Sequence, residues 1–376
     1  MATIPQVIIP RRGLSVAVPR WLVGLRDRSV TFWLLSVSLA VAALAHGVNM
    51  GGYPAFSLAD DEGIYVGQAL AVLNGQGLAP YTYTYDHAPG GWVQLALWYL
   101  GTGGPGTFGT PIDSGRVLML LVHLGSAALL FAVARRLGAS RVAGAVAVLL
   151  FSLSPIAVFF QRMVLLDNFM VFWLLVSLLL LLRPSSRAGT IGAGVAFGIA
   201  LLSKETALIA LPVYGALLIR RAGWRQAVLW AAAVTITCLP YPLYALARGE
   251  LWPVRDPYLP YVVANDALAR PSLLGTLIWQ LTRYGGGFWN IENHFFWYLR
   301  HDWLWRDATL LAVGTAAMLA NLLRGLRGDR RLIVAAACGL VTIAYLARGG
   351  VVFGFYVVLL VPFLALNAAL LLDVAL

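Results

Sequence analysis

Charge is scarce in this chain. Of 376 residues, 11% are Asp, Glu, Lys or Arg, against 60% hydrophobic residues, and mean hydropathy is +0.79. Soluble globular domains carry about a quarter of their residues charged, so that class is excluded. Acids are the scarcer sign, with 16 against 27 basic residues. The resulting net charge of +11 does not point to nucleic acid, because the basic residues punctuate apolar segments instead of covering a polar face. Cysteine is nearly absent. Cys238 and Cys338 both sit inside apolar stretches, which argues against a disulfide framework and leaves inert thiols. Lysine is rarer still: 26 of the basic residues are Arg, and Lys204 is the single Lys. The chain also lacks a Walker-type glycine loop, a GxSxG elbow, an HExxH helix and a CxxC pair. It has no internal repeat and no low-complexity tract.

What is abundant is the long apolar run. A polar stretch, 1–29, carries Arg11, Arg12, Arg20, Arg26 and Arg28, and the first apolar run follows at 30–48. Ala43-Leu44-Ala45 resembles a cleavage site, but the long basic region and the length of the run favour an uncleaved anchor. Further runs lie at 116–137, 142–160, 163–182, 188–203, 205–220, 227–247, 306–323, 332–347 and 351–372. Most approach the roughly 20 residues that cross a bilayer. The expected fold class is therefore an all-α polytopic membrane protein, a single integral membrane domain over 1–376 with about ten transmembrane helices. The short runs 188–203 and 205–220 are read as tilted, offset or partly re-entrant. With the N-terminus cytoplasmic, the inner side holds 17 of the 27 basic residues and only Asp27, Asp329 and Asp373 among the acids. Two long outer segments follow, 49–115 and 248–305, and no soluble C-terminal domain is expected after the last run.

The first outer segment holds three consecutive carboxylates, Asp60, Asp61 and Glu62. Adjacent acids repel one another and are expensive near a bilayer unless something uses them. They open one of two expected interfacial helices, at about 61–74 and 90–100, whose aromatic residues suit the headgroup region. The second outer segment is dense in Trp, Tyr and Phe, from Trp252 through Tyr258 and Tyr261 to Trp305. It reads as an aromatic belt or as a lid over a cavity, and its Gly285-Gly286-Gly287 run as a turn. Polar residues also gather at the outer ends of runs. Asp86-His87-Ala88-Pro89 is either a capped turn or a cation held over the membrane surface. Gln161-Arg162 and Asp167-Asn168 flank one junction, where Arg162 and Asp167 could pair or snorkel. In Ser203-Lys204-Glu205-Thr206, Lys204 either pairs with Glu205 or offers its ammonium to an anionic headgroup. Carboxylates and cations together at a membrane surface are what a transferase acting on a lipid-linked phosphate needs. Asp86 with His294 or His301 supplies two scattered candidate ligands for a divalent metal, too few to assign a site.

Five motifs, in order over roughly 55–362, resemble bacterial members of the GT-C superfamily related to protein O-mannosyltransferases and aminoarabinose transferases. Asp61-Glu62-Gly63-Ile64-Tyr65 resembles that family's Asp-Glu-x-Arg-Tyr, and Asp86-His87-Ala88-Pro89 its Glu-Lys-Pro-Pro. Gln161-Arg162 through Leu165-Leu166-Asp167 resembles its Arg…Leu-Asp junction. Gly198 through Ser203-Lys204-Glu205 resembles its Gly…Thr-Lys-Gly turn, and Phe355-Tyr356 with Pro362 its Tyr-Tyr…Pro span. Two positions depart from the pattern: Ile64 stands where the family has Arg, and His87 where it has Lys. The resemblance implies a GT-C-like bundle in a bacterial inner membrane, acting as a hexosyl- or pentosyltransferase on the outer face. The donor would be a polyprenyl-phosphate-linked sugar and the acceptor a hydroxyl on protein, glycan or lipid. It casts Asp61 as the base of an inverting displacement, with Glu62 beside it. Lys204, Arg162, His87 and Tyr356 would hold the donor phosphate, and Asp60, Tyr65, Asp86 and Asp167 would support them. No cofactor is certain, and a divalent metal stays open but unassigned. Two rival readings remain. A transporter or flippase would call for mid-bilayer ionisable residues and an internal repeat. A catalytically silent relative would bind the lipid phosphate alone.

Overall fold

A computed structural model of the chain describes residues 20–57, 61–77, 85–183, 186–252, 272–288 and 290–375. Asp60, Tyr258, Tyr261 and Trp289 lie outside the described residues. Among the described residues the fold is helical, and the one β contact is an isolated antiparallel bridge between Tyr284 and Gly350.

In chain order, α1 (Arg20–Gly47) is followed by two short helices, α2 (Glu62–Leu73) and α3 (Gly90–Gly101). Next come α4 (Pro111–Arg136), α5 (Arg141–Leu153) with its continuation α6 (Pro155–Phe160), α7 (Leu166–Leu181) and α8 (Arg187–Ser203). A 3-10 turn, Glu205–Ala210, leads into α9 (Leu211–Ala222), and α10 (Trp224–Cys238) leads into α11 (Pro240–Ala247). The rest comprises α12 (Leu273–Thr282), α13 (His294–Tyr298), α14 (Leu304–Leu326) and α15 (Arg331–Leu346). A second 3-10 turn, Gly354–Leu359, precedes α16 (Val361–Ala375).

All ten anticipated apolar runs are helical, and so are the two anticipated outer helices. Helical segments outnumber the expected spans because several rods are broken. Ser154 takes an extended conformation (φ −57°, ψ 123°) before Pro155, the bias a proline places on the residue ahead of it, and this divides α5 from α6. Among the described residues five stretches are long and apolar enough to cross a membrane: Ser29–Gly47, Pro111–Arg136, Trp224–Ala247, His294–Leu326 and Gly354–Val374. The chain is a multi-pass membrane protein.

Two boundaries differ from the sequence reading. Helix α1 starts ten residues before the apolar run, at Arg20. The span expected at 306–323 begins at His294, because a π turn at Leu299–Trp303 joins α13 to α14. Asn293 starts that rod by accepting the Phe296 N–H at 3.0 Å, and the rod kinks at Asp307, whose φ of −151° and ψ of 69° are not helical. The end of the expected aromatic loop therefore belongs to a span.

Small residues set the closest helix contacts. A Cβ at Gly194 would lie 2.6 Å from the Trp230 carbonyl oxygen, and one at Gly198 would lie 2.6 Å from the Thr237 Cβ. This small-xxx-small step lets α8 pack backbone to backbone on α10. Helix α16 is apolar on all sides and lies buried against α5, α14 and α15. Its one buried amide, Asn367, donates to Ala335 O and accepts from Asn321 Nδ2, cross-linking α14, α15 and α16.

Candidate active site

The acidic stretch is fixed by a residue that the sequence reading passed over. Arg116, in the first turns of α4, forms a two-pronged ion pair with Glu62: Nε to Oε1 at 2.9 Å and Nη2 to Oε2 at 2.7 Å. Both side chains are buried, at 0% and 1% exposure for Glu62 and Arg116. The same Glu62 oxygen accepts the Val164 N–H, and Arg116 Nη1 donates to the carbonyls of Met50 and Pro54. The start of α2, the loop before it, α4 and the α6–α7 junction thus meet on one carboxylate. Glu62, expected beside the base, is instead taken up by this pairing and by the Val164 N–H.

Asp61 is the opposite case. It stands just before α2, half-buried, and takes part in no ion pair among the described residues. Its one side-chain hydrogen bond comes from Tyr65 one turn on, OH to Oδ2 at 3.0 Å. Burial, and after it the Asp61 charge, push the Tyr65 phenol well above its ordinary pKa, so it stays a donor. Tyr65 packs on Trp92, which fixes that donor in place. Asp61 and Asp167 both lie close enough to Tyr65 and Tyr356 to act on them electrostatically.

Tyr356 links this carboxylate to the turn after α8, since the Asp61 charge acts on it and Lys204 packs against its ring. Lys204 leaves the helix in an extended conformation (φ −159°, ψ 130°), so Lys204 and Glu205 point apart. The pairing considered between them does not form. Lys204 Nζ, 1% exposed, bonds Asp167 Oδ2 at 2.6 Å and lies 4.3 Å and 4.8 Å from the ring centroids of Tyr356 and Phe355. Glu205 instead accepts from His87 Nδ1 at 3.1 Å and from the Ala88 N–H. The contact requires glycine at 90, where a Cβ would stand 2.7 Å from the Leu202 carbonyl oxygen. Asp86 holds the Gln280 amide and lies 4.0 Å from His87 Nε2.

The His87 side chain has two carboxylate neighbours and little solvent. Burial alone would lower its pKa, but the Glu205 hydrogen bond and charge, helped by Asp86, outweigh it, so the net shift is above the ordinary value of 6.5. A group whose pKa rises on folding adds stability below its unfolded pKa and loses it as pH climbs through the folded value. Thermal stability in detergent should therefore fall as pH rises above about 6.5. His87→Gln should flatten that slope, as melting curves at successive pH values would record.

Two arginines not anticipated from the sequence join this group. Arg283 stacks over Trp279 (4.4 Å) and faces Phe353 (5.6 Å), and it acts electrostatically on Tyr356. Arg348 stacks over Tyr345 at 3.9 Å. Neither forms an ion pair among the described residues. They flank a crossing of two glycine segments, where the Gly285 and Gly287 N–H groups both donate to Gly349 O, at 2.9 and 3.2 Å. The run expected as a simple turn is thus a clasp. A Cβ at Gly285 would lie 2.1 Å from Gly350 O, and one at Gly349, whose φ is +86°, would lie 2.1 Å from the Gly287 carbonyl carbon. Gly349→Ala should cost about 1–3 kcal/mol through clash and strain, read as a lowered melting temperature.

The structure thus brings Asp61, Tyr65, Asp86, His87, Asp167, Lys204 and Tyr356 into one cluster. Arg162 does not join it through any contact among the described residues. Its guanidinium donates to the carbonyls of Ala45 and Tyr53 and lies over the Tyr53 ring, tying α1 to the α6–α7 junction. The histidines considered as metal partners of Asp86 are engaged elsewhere, His294 with the Val352 N–H and His301 with Trp297 O. Among the described residues no three His, Cys, Asp or Glu side chains are arranged for a metal ion.

The helical bundle has a GT-C-like membrane fold. Residues 96–244 match the sequence model of the dolichyl-phosphate-mannose-protein mannosyltransferase family. The chain resembles ArnT from Cupriavidus metallidurans, solved bound to undecaprenyl phosphate. The TM-score is 0.58 at 18% identity, with 95% of this chain and 61% of that one covered. It also resembles the Archaeoglobus fulgidus oligosaccharyltransferase, solved tethered with an acceptor peptide containing the NVT sequon. There the TM-score is 0.57 at 12% identity, covering 95% of this chain and 50% of that one. The chain thus spans less than two thirds of the length of either. Curated protein sequences give no match.

Proposed function

We propose that this protein moves a sugar, hexosyl or pentosyl, from a polyprenyl-phosphate-linked donor to an acceptor hydroxyl, on the outer face of a bacterial inner membrane. The observation that carries the reading is the contrast between the two adjacent acids: Glu62 is fully paired, whereas Asp61, among the described residues, is held by the Tyr65 hydroxyl alone, and its charge acts on the Tyr356 ring that Lys204 packs against. Undecaprenyl phosphate on the ArnT neighbour and dolichyl phosphate in the matched family's name support a lipid-phosphate donor. The bias of basic residues to one side supports a cytoplasmic N-terminus.

In this mechanism Asp61 takes the proton of the acceptor hydroxyl. The oxygen attacks the anomeric carbon from the face opposite the phosphate, and the bond from that carbon to the phosphate oxygen breaks. The departing polyprenyl phosphate carries its electron pair away as a stable anion, so no protonated acid is needed. Lys204 and Arg283 face the developing charge, Tyr356 donates its hydroxyl, and Arg348 stands behind them. Asp167 holds Lys204 in position, while His87, Asp86 and Glu205 fix the rim.

The test is sugar transfer by the full chain in nanodiscs, with a panel of polyprenyl-phosphate sugars and protein, glycan and lipid acceptors. A product of inverted anomeric configuration is expected from at least one donor. A product of retained configuration would overturn the mechanism. Donor binding without turnover across the panel would favour a silent lipid-phosphate-binding relative.

A further inference from the structure

At the other end of the molecule lies a second site that the transferase reading does not use. The rod that begins beside Lys204 runs through a six-residue 3-10 turn and the twelve residues of α9 to Arg220 and Arg221. At about 2.0 and 1.5 Å per residue that path covers roughly 30 Å, one hydrocarbon thickness. There the C-terminal ends of α4 and α9 meet the start of α15 around a cavity of about 590 Å³, within the roughly 300–1,000 Å³ range of ligand sites. Its rim is five arginines, Arg136, Arg220, Arg221, Arg330 and Arg331, and its walls are apolar, among them Leu137, Leu217 and Val334. Charge compensation is thin. Arg331 pairs with Asp329 at 3.1 Å, and Arg221 donates to the carbonyls of Leu182 and Arg183. Arg136, Arg220 and Arg330 have no ion-pair partner among the described residues.

A cationic collar over an apolar hollow at a membrane boundary is complementary to one chemistry: an anionic head joined to a hydrocarbon chain. A soluble anion would leave the hollow unused, and a neutral lipid would leave the collar uncompensated. We propose that this cavity binds an anionic phospholipid of the leaflet opposite the carboxylate site. The phosphate would lie among Arg136, Arg220 and Arg330, and an acyl chain against Leu217 and Val334. Arginines near an anionic membrane surface each contribute measurably to such binding, and three of them together are worth about a hundredfold.

The full chain in detergent, titrated with dioleoyl phosphatidylglycerol and read by native mass spectrometry, tests this. Wild type should hold the lipid through delipidation, and dioleoyl phosphatidylcholine should not compete. The triple variant Arg136→Gln, Arg220→Gln, Arg330→Gln should lose about a hundredfold in affinity. Val334→Trp, which fills the hollow and leaves every arginine in place, should lose at least tenfold. Melting curves confirm that each variant is folded. If the triple variant does not fold, the single Arg220→Gln replaces it, with a severalfold loss expected. Equal binding of the two lipids, unchanged affinity in the variants, or displacement by glycerol phosphate as readily as by the whole lipid would each overturn the proposal.

Discussion

Asp61→Asn is expected to lower sugar transfer by about 10²- to 10⁴-fold while leaving donor binding unchanged, because a positioned base contributes about that much to proton transfer. The substitution keeps the shape of the side chain and its acceptor oxygen, so the Tyr65 hydroxyl, 3.0 Å from Oδ2 in wild type, retains a partner. Only the capacity to take a proton disappears. The effect should fall on kcat, since Asp61 is not among the groups proposed to hold the donor phosphate. Undiminished transfer by the variant would remove Asp61 from the role of base. The two assays, turnover and donor binding, also separate loss of chemistry from loss of the site.

The neighbouring acid should behave in another way. Arg116→Met leaves Glu62 buried without its partner, and breaking a buried pair of this kind costs about 3–5 kcal/mol. The expected result is a large fall in melting temperature in detergent, with any remaining activity tracking the folded fraction. The double exchange Glu62→Leu with Arg116→Met should recover part of the loss. Full recovery is not expected, because the Val164 N–H and the Met50 and Pro54 carbonyls, which Glu62 and Arg116 satisfy, would remain without partners. Unchanged melting in Arg116→Met would show that the pair does not hold the acidic stretch in place.

These two outcomes mark what was legible in the sequence and what was not. Helical spans follow from apolar runs, and each run from 30–48 to 351–372 is a helix because a bilayer core leaves the backbone few other ways to satisfy its polar groups. The cluster of Asp61, His87, Lys204 and Tyr356 was legible through motif order. The division of labour within Asp61-Glu62 was not, since two adjacent carboxylates look alike until a helix start turns one inward to Arg116 and leaves the other half-buried against Tyr65. Lys204 and Glu205 are neighbours in sequence, but the extended backbone between α8 and the 3-10 turn sends each across to another element. Arg116 and Arg283 were missed because they are two of 26 arginines. The one available signal for Arg116 was its position on the first residue of an apolar run, where a charge is costly without a partner. Gly285-Gly286-Gly287 read as a turn because its counterpart, Gly349-Gly350, lies some sixty residues away.

Lys204 carries one further consequence. As the single lysine of the chain, it offers, apart from the α-amino group, the only primary amine in the protein. At rest that amine is sealed between Asp167 and the rings of Phe355 and Tyr356. Acylation by a water-soluble amine reagent would therefore proceed at Lys204 only while the pocket stands open. The labelling rate becomes a clock for the opening of one site, read from the mass of the intact chain without any engineered probe.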